Sequence, residues 1–182
     1  MNKSFKEHIQ AYQPVLSSKP VERSSAVAVL IAGREGEERV LMFRRAEQEG
    51  DPWSGHIAFP GGRKEKEDCS LNHTAMREAG EEMGFSLKEA EFLGRLSDLY
   101  HPRILVAAFV FYLPELPLLV PNEEVDRPYW FKVSQIFASE NHSVRSFNTF
   151  NGTQQLPSVE LEDAVIWGIS LSILNQLRQM WS

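Results

Sequence analysis

Thiol chemistry is almost missing from this chain, whose 182 residues include one cysteine, Cys69. A single thiol forms no internal disulfide, so nothing here requires an oxidising compartment. Cys69 has no local metal-ligand partner at zinc-site spacing, and it reads as structural. Long apolar runs are missing too. The longest, Ile104 to Leu113, is about half of what a membrane-spanning helix needs and reads as a buried strand. Met1 to Gln10 lacks the apolar segment of a secretory signal, which makes the cytoplasm the expected compartment. An excess of positive charge is also absent: 19 basic residues face 25 acidic ones, for a net charge of -6. Such a chain has no long-range attraction for nucleic acid or anionic lipid. A polyphosphate ligand would need local cations or a bound metal. Internal repeats, linkers and low-complexity tracts are not found. The length suits one domain, residues 1–182, with enough chain for a core without disulfides.

What is present alternates between strand and helix patterns. Residues 3 to 12 are weakly amphipathic and predict a short helix that stops near Pro14. Ser25 to Ala32 is apolar and reads as a buried strand. Arg39 to Arg44 follows after a turn with Gly33 and Gly36, which predicts a hairpin. Ala46 to Ser54 reads as a polar loop, and His56 to Phe59 as a short strand ending at Pro60-Gly61-Gly62. Glu91 to Leu99, Ile104 to Leu113, Tyr129 to Lys132 and Val144 to Phe150 are further strands. Val133 to Ala138 is a helical turn. Ala164 to Trp181 is predicted to close the chain as one amphipathic helix. Strands mixed with a few helices imply an α+β or α/β layer.

The strongest helix signal lies between Ser70 and Gly84. Leu71, Ala75, Ala79 and Met83 recur at i+4 and form an apolar stripe. Ser70 is placed to cap the start, and Gly84 to end the helix. Gly80 sits inside and costs roughly 1 kcal/mol against Ala; close packing is one reason to keep it. Glu78, Glu81 and Glu82 are spaced i, i+3 and i+4, so they should share the face opposite the stripe. Like charges at i+4 repel by a few tenths of a kcal/mol, and the C-terminal half of a helix disfavours anions. A hard divalent cation such as Mg²⁺ would relieve both, since it takes carboxylate oxygens, water and substrate phosphate. Arg77, i, i+4 to Glu81, can orient a carboxylate. Taken alone, the glutamates also fit a solvated acidic face. The upstream Gly61-Gly62 pair shifts that balance, because it lets a ligand approach the backbone closely.

The segment Gly62, Asp68, Arg77-Glu78, Glu81-Glu82, Gly84-Phe85 resembles the Nudix box, over about residues 62–85. It departs from the family pattern in three ways. Asp68 stands at a glutamate position, the interval to Arg77 is one residue longer, and Ala79 is small for its position. The longer interval, Phe59-Pro60-Gly61-Gly62 before it and Ile166-Trp167-Gly168-Ile169 near the end are similar to the coenzyme A diphosphatase-like branch. Arg45-Ala46 fits part of that branch's upstream element. Its later arginine is missing, and the spacing to Gly55 is one residue too long.

The resemblance implies a Nudix fold, an α/β/α sandwich with a mixed central sheet and a loop-helix-loop box. It implies Mg²⁺ or Mn²⁺ held by Glu78, Glu82 and the Gly61 carbonyl, with Glu81 serving a further ion. A box glutamate is the first choice of general base and Glu124 the second. Arg44, Arg45 and His56 are candidates for binding substrate; His101 and Arg103 could also face the cleft. Trp53 reads as a buried aromatic anchor rather than a stacking platform. The implied activity is cleavage of the diphosphate linkage of a nucleoside diphosphate derivative, coenzyme A or an acyl-CoA first. Nucleoside diphosphate sugars or ADP-ribose are the alternative substrates, and a non-catalytic nucleotide-binding module is the alternative class. The expected partner is this small molecule, without nucleic acid or membrane; a homodimer is left open.

Overall fold

The computed structural model describes residues 4–18, 23–51, 53–101, 104–149 and 151–181. The expectation for His101 and Arg103 falls on side chains outside these.

Helix α1 is Phe5–Ala11, opened by a reciprocal cap in which Ser4 and Glu7 exchange hydrogen bonds. Strands β1 (Arg23–Ala32), β2 (Arg39–Arg45), β3 (Ile57–Ala58) and β4 (Gly61–Arg63) follow. Helix α2 is Leu71–Met83, with the Ser70 side chain accepting from His73 N–H and Gly84 left-handed at φ 68°. Then come β5 (Glu91–Arg95), β6 (Leu99–His101), β7 (Ile104–Leu113), β8 (Val125–Lys132) and α3 (Val133–Phe137). The chain ends through β9 (His142–Thr149), β10 (Gly152–Leu161), β11 (Ala164–Trp167) and α4 (Gly168–Arg178).

An 8-stranded mixed sheet runs β3-β2-β1-β7-β5, with β4 on β1, β6 on β7 and β8 on β2. β1 and β7 are parallel from Arg23↔Ile104 to Ala32↔Leu113, and the other pairs are antiparallel. The apolar runs of β1 and β7 reflect burial on both faces. Side-chain alternation divides the core between those faces. Ala26, Ala28 and Leu30 pack with Ala75, Ala79 and Met83 of α2. Val29 and Ile31 face Ile9, Ile136, Ile173 and Leu177 from the other helices. The result is helix, sheet, helix, as the sequence predicts.

Gly61 and Gly62 are not loop: they pair with Val27 and Ala26 of β1. A Cβ on Gly61 would collide with the Ala26 carbonyl and Val27, so the close approach is to the protein's own strand. The closing helix starts at Gly168, whose φ of 61° turns the chain; Ala164–Trp167 is instead a strand on β10. A 3-stranded sheet, β11-β10-β9, was not foreseen at all beyond its first strand. It contributes Val159, Leu161, Ala164 and Ile166 to the core face opposite α2. Strand β8 also begins earlier than expected, and runs through Pro128 while pairing with β2.

Smaller expectations fail as well. Cys69 is exposed, so it supports no packing. Trp53 is 41% exposed and does not anchor a core. Gly80 has no close neighbour: an added Cβ would meet only the Phe85 carbonyl oxygen, at 3.8 Å.

Candidate active site

The Arg77 guanidinium organises the acidic end of the molecule. Its Nε and Nη2 donate to the two Asp68 carboxylate oxygens, both at 3.0 Å. Nη2 also reaches the Arg63 carbonyl at 3.1 Å and Glu78 Oε1 at 3.0 Å, while Nη1 donates to Glu81 Oε2 at 2.9 Å. Asp68 is buried, and it also accepts from Thr74 Oγ1 at 3.0 Å and from Glu65 N–H at 2.9 Å. The hydrogen bonds from Arg77 are the main reason that the Asp68 carboxyl stays well below the usual carboxylate range. Arg77 therefore staples the loop before α2 to the helix and orients two glutamates. The sequence marks Asp68 only as a position in the box pattern. Its role as the counter-charge of Arg77 depends on burial, which spacing alone does not report.

The glutamates do not share one solvent face. Glu81 is exposed, Glu78 half-buried, and Glu82 only 2% exposed, because residue 82 turns toward the sheet beside Ala79 and Met83. Glu82 Oε2 accepts from Gly61 N–H at 2.8 Å. Burial is the main force that raises its pKa from 4.5 to about 8, with the charges of Glu78 and Glu124 adding to it. Gly61 N–H and Arg45 act the other way. Glu78 is also raised, first by burial, against the opposing pull of Arg77. Its carboxylate lies where a side chain on residue 62 would be, so a larger residue there would push the flexible end of Glu78 out of its place. The Gly–Gly strand and the two inner glutamates thus form one packed unit.

Glu124 is exposed on the segment that follows the irregular stretch from Pro114 to Pro121. That segment is tied to the end of α2: Val120 N–H donates to the Met83 carbonyl at 2.9 Å, and Asn122 N–H to the Glu82 carbonyl at 3.0 Å. Two carbonyls left open by the helix end are thereby satisfied. The same tie brings the Glu124 charge near Glu78 and Glu82.

The predicted substrate residues separate. Arg45 lies on the acidic side, held by Asp51 at 2.9 Å. Its Nε is buried and has no hydrogen-bond partner among the described residues. Arg44 goes to the opposite face, where Nη2 donates to the Asp163 carbonyl at 2.8 Å and carboxylate at 2.9 Å. His56 packs edge-on against Trp167 at 4.9 Å, and burial lowers its pKa. Neither joins the acids.

Among the described residues, no group of three acidic or histidine side chains is already drawn together to hold an ion. Arg77 holds Glu78 and Glu81, and Gly61 N–H holds Glu82. The donor chemistry nevertheless fits Mg²⁺ or Mn²⁺, which prefer carboxylate and carbonyl oxygens. Glu82, buried with no ion pair among the described residues, and Glu78, whose partner Arg77 is shared with Asp68 and Glu81, are the observation that carries this fit.

Comparison with known proteins bears on the family and the fold. The family model described as NUDIX domain matches residues 22–150. An uncharacterised Schizosaccharomyces pombe protein, C14C4.10c, is 30% identical over 72% of this chain and 48% of its own length. The human mitochondrial coenzyme A diphosphatase NUDT8 is 29% identical over 68% of this chain and 54% of its own. The chain spans about half the length of these two relatives. The Yersinia pestis Nudix hydrolase NudL is 28% identical over 88% of this chain and 80% of its own. Among solved structures, the NUDIX domain of Shewanella oneidensis NrtR, in complex with ADP ribose, superposes with a TM-score of 0.59 at 15% identity. That match covers 95% of this chain and 96% of the other. The family model covers most of the chain and the fold agrees with it, and the chain belongs to the Nudix family.

Proposed function

We propose that this chain is a metal-dependent diphosphatase that cleaves the diphosphate linkage of a nucleoside diphosphate derivative, with coenzyme A or an acyl-CoA as first candidate. The observation that carries the reading is the pair Glu78 and Glu82, packed on Gly61-Gly62 with both pKa values raised. A stability-driven sequence gains nothing from burying two carboxyl groups side by side. Nudix hydrolases generally use divalent metal ions. A bound Mg²⁺ or Mn²⁺ would neutralise the diphosphate and supply a positioned, activated water.

The chain's own residues divide the remaining work. Glu78 and Glu82, with the Gly61 carbonyl, would hold the ion, and Glu81 would serve a second. Arg77 positions Glu78 and Glu81 and keeps the Gly–Gly strand seated through Asp68. Arg45, with its unsatisfied buried Nε, would bind a substrate phosphate oxygen. A box glutamate would take the proton of the attacking water, with Glu124 as the second candidate. Coenzyme A is favoured because a relative at 29% identity is named a coenzyme A diphosphatase and because the box interval is similar to that branch. ADP-ribose and nucleoside diphosphate sugars come next.

The test is hydrolysis of coenzyme A, ADP-ribose, nucleotide sugars, dinucleotides and nucleoside triphosphates with Mg²⁺ or Mn²⁺, beside Glu82→Gln. Release of 3′,5′-ADP and 4′-phosphopantetheine from coenzyme A is expected. Glu82→Gln should lose more than roughly 100-fold, exceeding the typical cost of removing an outer partner of a metal site. Cleavage of another diphosphate would replace the substrate and keep the reaction. Metal-independent turnover, or full activity in the variant, would sink the mechanism. Tight nucleotide binding without turnover would favour a non-catalytic module.

A further inference from the structure

Two arginines act electrostatically on the inner glutamates, Arg77 on Glu78 and Arg45 on Glu82, and they are held in different ways. Arg77 spends Nε, Nη1 and Nη2 on acceptors of the chain. Among the described residues, Arg45 makes a single side-chain hydrogen bond, from Nη2 to Asp51 Oδ2 at 2.9 Å. Its Nε is buried without a partner, while 26% of the side chain stays exposed. An ion pair that served only to settle Arg45 would be two-pronged, as Asp68 is toward Arg77. Asp51 is not, because its other oxygen, Oδ1, accepts from Trp53 N–H at 3.0 Å. The carboxylate grips one nitrogen and leaves the rest of the guanidinium for another acceptor.

Both ends of this grip are fixed by backbone. Asp51 N–H donates to the Gln48 carbonyl at 3.1 Å, and Ser54 N–H to the Asp51 carbonyl at 3.2 Å. Ser54 Oγ braces the same turn, accepting from Gln48 N–H and donating to the Gln48 carbonyl, both at 2.9 Å. Arg45 N–H donates to the His56 carbonyl at 3.0 Å, and the Arg45 carbonyl accepts from Gly55 N–H at 3.1 Å. Ala46 N–H donates to the Glu124 carbonyl at 2.9 Å. That bond ties Arg45 to the segment that brings Glu124 toward the inner glutamates.

Charge alone does not explain Asp51. A carboxylate beside Arg45 weakens the attraction of that arginine for any anion. A site built for phosphate affinity alone gains nothing from it. What the contact supplies is direction: a long side chain already held in place loses less freedom when it binds.

We infer that Asp51 is a positioning residue, which holds Arg45 by Nη2 so that the remaining guanidinium N–H groups meet a phosphate oxygen of the ligand. The inference rests on the diphosphatase reading, in which Arg45 binds that phosphate. Imidodiphosphate, a diphosphate with a nitrogen bridge that resists hydrolysis, is the probe. Its affinity for the whole protein in Mg²⁺ is measured by calorimetry across Arg45→Ala, Asp51→Ala and the double variant. Arg45→Ala should weaken binding roughly 10- to 100-fold, the range of a charge-assisted hydrogen bond. Asp51→Ala should weaken it roughly 10-fold, as loss of an outer partner does at a metal site, even though a negative charge is removed. In the Arg45→Ala background the same change should bring no further loss, because Asp51 acts through Arg45.

Tighter binding in Asp51→Ala would make Asp51 an electrostatic brake. Equal losses in both backgrounds would make it a brace of the loop. Either result overturns the inference, as does wild-type protein that binds no imidodiphosphate. Asp51→Asn, which keeps the shape and one acceptor, runs through the same cycle if the alanine variant does not fold. Hydrolysis separates this inference from the reading beneath it. Where a diphosphate is cleaved, its kcat/KM should follow the same pattern; cleavage with an additive cycle rejects the positioning role and keeps the diphosphatase. A non-additive cycle for imidodiphosphate in a protein that cleaves no diphosphate upholds Asp51 and rejects the diphosphatase.

Discussion

The two faces of the main sheet treat charge in opposite ways. On the α2 face, Glu78, Glu82 and Glu124 crowd together, while Arg77 is shared among Asp68, Glu78 and Glu81 and Arg45 is held by Asp51. On the other face, Arg44, Arg127 and Tyr129 converge on Asp163, and Asp126 and Glu162 beside the arginines supply the further negative charge that two cations need. Both clusters are dense in ions, and counting ion pairs would not tell them apart. What differs is the remainder. The first leaves Glu78 and Glu82, whose ionisation burial holds back; the second leaves little net charge. An unbalanced cluster is costly unless a cation completes it, which makes it the better guide to chemistry.

The comparison breaks most severely at Arg77. Arg77→Ala would leave Asp68 buried as an unpaired charge. A loss of about 3 kcal/mol in unfolding free energy is expected, at the low end for breaking a buried pair because Arg77 itself is partly exposed. Urea melts of the variant and of Arg77→Ala/Asp68→Asn measure it. The double variant should recover part of the loss; no recovery would mean that the pair is not the source.

A titration sharpens the comparison with a smaller effect. The Glu82 pKa is raised from 4.5 to about 8 in the folded chain. Its protonated state therefore favours folding fully below 4.5, and that contribution is lost as pH rises through about 8. Glu78 is raised too and acts in the same direction. Asp68 is lowered, so its contribution fails only in strong acid. The metal-free protein should lose melting temperature between mildly acidic and mildly alkaline pH. Saturating Mg²⁺ should flatten the slope, and Glu82→Gln should remove most of it. A slope identical in the variant would mean that another group is titrating.

The smallest effect is expected from Gly80→Ala. With only the Phe85 carbonyl at 3.8 Å from the new Cβ, the helix should gain up to about 1 kcal/mol. Thermal melts would register it. Destabilisation would reveal a packing need that the geometry does not contain.

The α2 face was legible in the sequence because its pattern is local. Ser70, the Leu71–Met83 stripe and Gly84 all lie within one helix, and their spacing gives its limits. The family resemblance added the fold and named the candidate site residues. Burial was not legible: i, i+4 spacing put Glu82 beside Glu78 without telling how far α2 is rotated toward Gly61. The small sheet was hidden for a different reason. Strand β10 carries Gln154, Gln155, Pro157 and Glu160, and its pairing partners lie beyond a turn. Strand β11 was absorbed into the helix after it, because Ile166 continues the spacing of Ile169 and Ile173. Only Gly168, at φ 61°, marks the junction.

The ties from Val120 and Asn122 to the end of α2 have a practical consequence for redesign. They make the chain between residues 114 and 124 two different materials. Its first part, with Leu118 85% exposed, can be lengthened or replaced as a graft point. Its second part is in register with α2, and one inserted residue there would shift Glu124 by about 3.5 Å relative to its neighbours. Diversity in a library built on this scaffold belongs before Leu119, not after it.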